Sequence, residues 1–196
     1  MTLDVSKFHK LVVADTCAVW NILSSRLLHH TGIVAGCTFS LTGFVLYECL
    51  HKPRSKIKDS DRELQRRLKD ARAAGQFKSY ALAVEDLQEV QILEKRKNLS
   101  KGELAAIAFA KKTQQAFLTD DQKARQLAAT AIEARLIQTT PHLLGWLVFT
   151  GLLGDSDVPL IVSEHEQLDR PLRLYFMNMY GEALRCRLMQ SSQNSS

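Results

Sequence analysis

The sequence predicts an α/β fold in which a central parallel sheet carries helices on both faces. Strand-like apolar runs alternate with helix-like segments from Leu11 to Leu153, an alternation typical of parallel sheets. The chain has 196 residues, of which 45% are apolar, enough for one sizeable core. Several acidic residues lie at strand ends or helix starts, which indicates that they meet at one edge of the sheet.

The first half of the chain begins with two strand and helix pairs. Leu11 to Ala14 is a short apolar strand, and a helix is expected from Val19 to Leu28. The β-rich run Ile33 to Leu41 leads into a second helix from Thr42 to His51. Pro53 ends this helix, because proline disfavours helical geometry in the residue before it.

A helical insertion is predicted at about 52–99. From Asp59 to Gly75, apolar residues recur at spacings of four and three, the pattern of an amphipathic helix. Lys78 to Val84 is predicted to be a strand and Glu85 to Lys97 a helix.

The second half completes the alternation and adds an extension. The expected elements are a helix over Ser100 to Gln115, a strand over Ala116 to Thr119, a helix over Gln122 to Ala134, a strand over Leu136 to Thr139 and a helix over Pro141 to Leu152. Asp, Ser and Pro then mark a break. We therefore expect a domain at 1–153, a helical extension at 154–189 containing a helix from Ser163 to Met189, and a disordered tail at 190–196.

Charge suggests a polyanionic partner. The chain has 26 basic and 21 acidic residues, a net charge of +5. The excess lies between Lys52 and Arg72, a segment that contains nine basic and four acidic residues. Such a segment beside an acidic crevice suits a phosphate-rich substrate, although a solvated helix face gives the same pattern.

Cysteine, histidine and hydropathy patterns exclude other classes. The four cysteines show no CxxC spacing and the six histidines form no zinc-type set, so we expect reduced thiols in a cytoplasmic protein. Met1 to Lys10 lacks the apolar core of a signal peptide. The longest apolar stretch, Leu143 to Leu153, is too short to span a membrane.

Four acidic positions support a chemical hypothesis: Asp15, Glu48, Glu103 and the pair Asp120-Asp121. Clustered carboxylates repel one another and need a cation, and an all-oxygen set suits Mg²⁺ or Mn²⁺. Structural alternatives exist, since Ser100 and Glu103 fit a capping box and either Asp120 or Asp121 can cap a helix. Glu48 lies among apolar residues, where a carboxylate is costly to bury unless it is paired or metal-bound.

A family resemblance rests on four segments: Val12-Val13-Ala14-Asp15-Thr16, the helix containing Glu48, Gly102-Glu103-Leu104-Ala105-Ala106-Ile107-Ala108, and Leu118-Thr119-Asp120-Asp121-Gln122-Lys123-Ala124-Arg125. Together they resemble the PIN-domain nucleases, especially the prokaryotic branch with Gly-Glu, a helix and Asp-Asp-x-x-Ala-Arg. The likeness covers about 11–153. It implies a three-layer α/β/α fold with a central parallel sheet, to which the helical insertion and the C-terminal helical extension are added.

The resemblance also implies site residues. Asp15, Glu48, Glu103 and one of the two adjacent aspartates would bind Mg²⁺ or Mn²⁺. A Thr two residues before the acid favours Asp121, as in toxin-like members, while the Asp-Asp branch allows Asp120. Thr16 and Thr119 would support the site, and Cys17 stands where many members have Asn or Ser. Candidate nucleic-acid contacts are Arg62, Arg66, Lys69, Lys123 and Arg125.

The function implied is metal-dependent hydrolysis of RNA. Many members of the family are homodimers, and many are toxins neutralised by a small antitoxin protein, so we expect a toxin or a defence nuclease. The alternative is a catalytically silent PIN-like module that binds RNA or protein. A phosphohydrolase of the haloacid dehalogenase type would require a second Asp at the position of Cys17.

Overall fold

The computed structural model describes residues 3–53, 56–81, 88–91 and 99–193. It contains a five-stranded parallel sheet formed by β1 (Leu11–Ala14), β2 (Thr38–Thr42), β3 (Phe77–Tyr80), β4 (Ala116–Leu118) and β5 (Ile137–Gln138). The spatial order is β3-β2-β1-β4-β5, and every pair is parallel. The parallel sheet predicted from the sequence is confirmed.

The strand order reverses beside β1. The chain proceeds from β1 through β2 to β3 on one side, and then continues with β4 and β5 on the other side. Val12 of β1 is in register with Phe39 of β2 and with Ala116 of β4. In open α/β sheets, ligands bind outside the carboxyl ends of the strands at such a reversal. The crevice between the ends of β1 and β4 is therefore the expected binding position.

Helices flank the sheet in a PIN-like three-layer α/β/α arrangement. They are α1 (Thr16–Ser24), α2 (Arg26–Val34), α3 (Gly43–Leu50), α4 (Asp59–Ala73), α5 (Lys101–Thr113), α6 (Gln122–Ala128), α7 (Thr140–Phe149), α8 (Asp157–Gln167) and α9 (Arg173–Gln193), with a 3₁₀ helix at Ala134–Leu136. Residues 88–91 are also helical. Within the described ranges, every helix is too short or too polar to span a bilayer.

Polar residues at the strand ends start the following helices. The Asp15 side chain caps α1, the Thr42 hydroxyl caps α3 and the Asp121 carboxylate caps α6. These caps accept hydrogen bonds from the otherwise unpaired amides of the first helical turn. The same polar groups therefore both start helices and face the carboxyl edge of the sheet.

Two predicted helices are each divided in the structure. Ser25 ends the first segment of the helix expected over Val19 to Leu28, because its hydroxyl caps α2 by accepting from the Leu28 amide at 3.1 Å. The helix expected over Ser163 to Met189 is broken between α8 and α9. Asp169 there is left-handed, with φ at 58°, and Pro171 cannot continue a helix.

Other boundaries shift by a few residues. α9 continues to Gln193 and so includes residues that the sequence assigned to the tail. β3 ends at Tyr80, four residues before the predicted strand end at Val84. The helix expected over Glu85 to Lys97 lies largely outside the described residues, apart from the helical turn at 88–91.

The C-terminal helices belong to the main core. Phe176 and Ala183 of α9 are fully buried, and the ring of Phe176 contacts the buried His165 of α8 at a centroid distance of 4.7 Å. At Gly145 in α7, an added Cβ would lie 3.1 Å from Cβ of Met179 and 3.2 Å from its carbonyl oxygen. The absence of a side chain at position 145 thus lets α9 pack closely against α7.

The partly buried His29 predicts an acid-sensitive fold. Burial and the charge of His30 lower the pKa of His29 to about 4, whereas the unfolded side chain titrates near pH 6.5. Between about pH 6.5 and pH 4, the unfolded chain therefore binds a proton that the folded chain does not. The free energy of unfolding falls in this range by up to about 1.4 kcal/mol for each unit of decrease in pH.

We expect His29→Phe to reduce this pH dependence in urea unfolding measured at pH 7 and pH 5. The ring of His29 lies 5.5 Å from that of Phe77, so an aromatic replacement suits the site. His30→Gln is the control, because His30 is exposed and should leave the slope nearly unchanged. Equal slopes in wild type and His29→Phe would contradict this assignment.

Candidate active site

Asp15 is fully buried at the end of β1. One carboxylate oxygen accepts from the Ala18 amide at 2.8 Å, and the other accepts from the hydroxyl of Thr119 beyond the end of β4. The Thr119 hydroxyl in turn accepts from the amide of Asp121 at 3.1 Å. Thr119 thus connects the ends of the two central strands, which confirms that residues about a hundred positions apart in sequence meet here.

Asp15 lies in a strongly negative environment. Burial raises the pKa of its carboxyl to about 7, the hydrogen bonds from Ala18 and Thr119 oppose this rise, and the charges of Asp120 and Glu103 add to it. Burial and, to a smaller extent, the charges of Asp15, Asp120 and Asp121 together raise the pKa of the neighbouring Cys17 to about 12. Glu103 and Asp120 are therefore near enough to Asp15 to interact with it electrostatically.

Glu48 joins α3 to the N-termini of two other helices. Its Oε2 accepts from the Thr16 hydroxyl at 2.7 Å and from the Ser100 hydroxyl at 3.4 Å, while its Oε1 accepts from the Gly102 amide at 3.1 Å. A Cβ at position 102 would lie only 2.7 Å from Cδ of Glu48. The Gly-Glu motif thus has a steric basis, because Gly102 leaves space for the carboxylate of Glu48.

Glu103 forms the predicted capping box at the start of α5. Its carboxylate accepts from the Ser100 amide at 2.8 Å, and its own amide donates to the Ser100 hydroxyl at 3.2 Å. Ser100 therefore contacts both Glu103 and Glu48. The cap does not separate Glu103 from the cluster, since its charge acts on Asp15.

The two adjacent aspartates have different partners. Asp121 caps α6 by accepting from the Ala124 amide at 2.8 Å through Oδ1, its one oxygen with a hydrogen bond among the described contacts. Both oxygens of Asp120 are engaged. Asn21 donates to Asp120 at 2.7 Å, and Thr140 donates through its amide at 2.9 Å and its hydroxyl at 2.6 Å.

Asn21 and Thr140 are site residues that the sequence analysis missed. Asn21 lies one helical turn after Cys17, with its amide nitrogen 3.7 Å from the Cys17 sulfur. It therefore supplies a side-chain amide on the same face of α1 as Cys17. Asn21 lies four positions after Cys17, a spacing that places two helical residues on the same face, and this spacing could have identified it from the sequence. Thr140 is the first residue of α7 and lies two positions after the end of β5, at the same sheet edge as the acids.

The acids offer only oxygen atoms, the donor type that hard divalent cations prefer. Ion pairs among the described residues engage other acids, such as Glu63, Asp70 and Asp169, and none includes Asp15, Glu48, Glu103, Asp120 or Asp121. Buried negative charge without a counter-cation is costly. The oxygens face amide and hydroxyl donors instead, and no three Asp, Glu, His or Cys in the described ranges form a group that could hold a metal ion.

The predicted nucleic-acid contacts fall into two groups. On α4, Arg62 is paired with Asp59 at 3.2 Å, and Arg66 is paired with Glu63 at 2.8 Å and with Asp70 at 3.0 Å. These acids of the same helix offset much of the positive charge that the sequence suggested, and Lys69 lies on this helix as well. Lys123 and Arg125 lie on α6, where Arg125 donates to the backbone oxygen of Asp120 at 3.0 Å.

The family model for the PIN domain matches residues 58–135, from the start of α4 to the 3₁₀ helix. This segment of the chain is similar to PIN domains. This similarity places the protein in a nuclease-like superfamily, whose nucleases act on nucleic acids and generally use divalent metal ions. The match includes Glu103, Asp120 and Asp121, while Asp15 and Glu48 precede it and join the same cluster in the fold. No curated protein shows significant similarity to the chain.

The contact between Gly102 and Glu48 gives a test of the PIN-domain site. We expect Gly102→Ala to displace the Glu48 carboxylate rather than the backbone, because the three atoms nearest to the added Cβ all belong to the end of that side chain. If Glu48 is a metal ligand, as the family resemblance implies, nuclease activity should fall about tenfold or more. Activity and thermal unfolding would be measured together.

Gly181→Ala is the matched control. Gly181 also lies in a helix, and a Cβ there would meet nothing within 4 Å. This variant should keep full activity and gain up to about 1 kcal/mol of stability from the better helix propensity of alanine. Full activity in Gly102→Ala would show that Glu48 has no role in the reaction.

Proposed function

We propose that this PIN domain is a divalent-metal-dependent ribonuclease that hydrolyses phosphodiester bonds in RNA. The observation that supports the proposal is the group of acids at the strand reversal, none of which is in an ion pair within the described residues. Asp15, Glu48, Glu103 and Asp121 would hold Mg²⁺ or Mn²⁺, with Asp120 beside them. A bound divalent cation lowers the pKa of water and offsets charge on the phosphoryl oxygens and the leaving oxygen.

The residues of the chain keep the acids in position. Thr119 fixes the rotation of the Asp15 carboxylate, and Thr16 together with Gly102 fixes that of Glu48. Because the oxygens are already oriented by hydrogen bonds, little reorganisation is required when charge develops during the reaction. Water would attack phosphorus in line with the leaving 3′-oxygen and give a 5′-phosphate and a 3′-hydroxyl.

Replacement of Asp15 tests the metal site directly. Asp15→Asn should abolish Mn²⁺-dependent cleavage of single-stranded RNA and preserve the fold. Without metal, its unfolding midpoint should equal or exceed that of wild type, because a buried charge repelled by Asp120 and Glu103 is removed. Full activity in Asp15→Asn would overturn the site assignment.

A second measurement does not depend on activity. Mn²⁺ at about 100 times its Kd should stabilise the wild type by about 2.7 kcal/mol and Asp15→Asn by much less. A catalytically silent PIN-like module is the second candidate, favoured by the hydrogen bonds that already engage the carboxylates. It predicts no cleavage and equal responses to Mn²⁺ in both proteins.

Growth arrest on expression of wild type, absent with Asp15→Asn, would support a toxin neutralised by an antitoxin.

The adjacent aspartates have separable roles. We propose Asp121 as the ligand, since one of its oxygens has no partner among the described contacts, and Asp120 as a structural carboxylate. Asp121→Asn should retain the cap of α6 and lose activity, because Asn is also a good N-cap. Asp120→Asn should lose about 1 to 3 kcal/mol of stability, since its amide cannot satisfy all the donors of Asn21 and Thr140.

Activity of folded Asp120→Asn protein should exceed that of Asp121→Asn. Cleavage rates would be measured at a temperature where unfolding curves show both variants to be folded. The reverse ranking would move the fourth ligand to Asp120.

A further inference from the structure

A groove of about 560 Å³ opens beside Asp120, between α6 and α9. Its lining includes Gln122, Arg125 and Gln126 from α6, and Tyr175 and Asn178 from α9. One wall is therefore supplied by the C-terminal helix, outside the segment that matches the PIN-domain family model.

We propose that this groove binds the single-stranded nucleic acid next to the scissile phosphate, with Tyr175 stacking on a base and Arg125 contacting a phosphate. The proposal rests on the proposed nuclease function and names where its substrate lies.

Tyr175 has the position of a base-stacking side chain. It is 59% exposed, whereas the adjacent Phe176 is fully buried and anchors α9 to the core. The helix thus holds an aromatic ring at the groove on a rigid support, which lowers the entropic cost of binding. Aromatic side chains in a groove that also carries positive charge are the usual means of binding single strands, because every base offers a π-face.

Arg125 supplies the positive charge at the same groove. One guanidinium nitrogen donates to the backbone oxygen of Asp120 at 3.0 Å, which fixes the side chain. Unlike Arg66, it forms no ion pair with a carboxylate within the part of the chain that the structure describes. Its remaining N–H groups are suited to a phosphate, for which the planar guanidinium provides matching donors.

The mixed lining of the groove suits the apolar faces and polar edges of bases. Beside Arg125 and Tyr175 it presents side-chain amides from Gln122 and Asn178, which can donate to and accept from base edges, together with apolar residues such as Leu172 and Met179. Asp120 lies at the same groove, so a strand bound there would place a phosphate beside the acid cluster. Stacking requires an unpaired base, which excludes a continuous duplex as the occupant.

Binding is tested with a fluorescent single-stranded RNA and no divalent metal, in the Asp15→Asn background so that cleavage cannot interfere. We expect Tyr175→Ala to weaken binding about tenfold, as for the loss of one stacked base. Tyr175→Phe should bind within about twofold of the parent, because the ring is kept. Leu174→Ala is the control, since Leu174 is 68% exposed on the same helix and does not line the groove.

The phosphate contact has its own signature. Arg125→Gln should reduce the slope of log K against log salt by about 0.7, the value for one phosphate contact on a single strand. Arg185→Gln is the control and should leave the slope unchanged, because Arg185 is paired with Glu182 and does not line the groove. Thermal unfolding would establish that each variant is folded.

Parent affinity in Tyr175→Ala, or an equal loss of affinity for duplex RNA, would overturn the proposal. So would loss of RNA binding in Tyr175→Phe, which would indicate a role of the hydroxyl in another ligand such as a peptide. If wild type fails to cleave with Mn²⁺ but Tyr175→Ala still weakens binding, the nuclease function fails and the groove assignment stands. If wild type cleaves and Tyr175→Ala binds normally, only the groove assignment fails.

Discussion

The structure depends on one buried carboxylate at the point where two central strands end. Asp15 occupies the strand reversal, where it caps α1 and accepts from Thr119 after β4. A carboxylate with no surface exposure and no cationic partner among the described residues would weaken an ordinary core. Its retention at the sheet edge, surrounded by other acids, is reasonable if the position serves chemistry rather than stability.

Local patterns made much of the fold and part of the site predictable. Apolar runs predicted β1 and β4, and the spacing of Ser100 and Glu103 predicted the cap of α5, because each signal lies within a few adjacent residues. Strand ends of a parallel sheet share one edge, so the convergence of distant acids also followed from the sequence. The family resemblance, and not periodicity, supplied the choice among the acids.

Long-range hydrogen bonds set the limit of that prediction. Asn21 and Asp120 are separated by 99 positions, and no local pattern indicates that they pair. The division between α8 and α9 had a visible signal in Pro171, yet apolar residues on both sides suggested one continuous helix. Charge counting overstated the basicity of α4, because Arg62 and Arg66 pair with acids of their own helix.

The C-terminal extension also contacts the site. Both ring nitrogens of His165 lie against carbonyl oxygens, one of which is that of Asn21 at 2.7 Å.

The close contact at Gly145 determines how wide the groove beside Asp120 can be. Position 145 admits α9 to within 3.2 Å of where its own Cβ would stand, and α7 begins with Thr140, which holds Asp120. Any larger residue at position 145 would push against Met179 of α9, which lines the groove together with Tyr175. The absence of a side chain at Gly145 thus sets how close the C-terminal helix lies to the acidic centre.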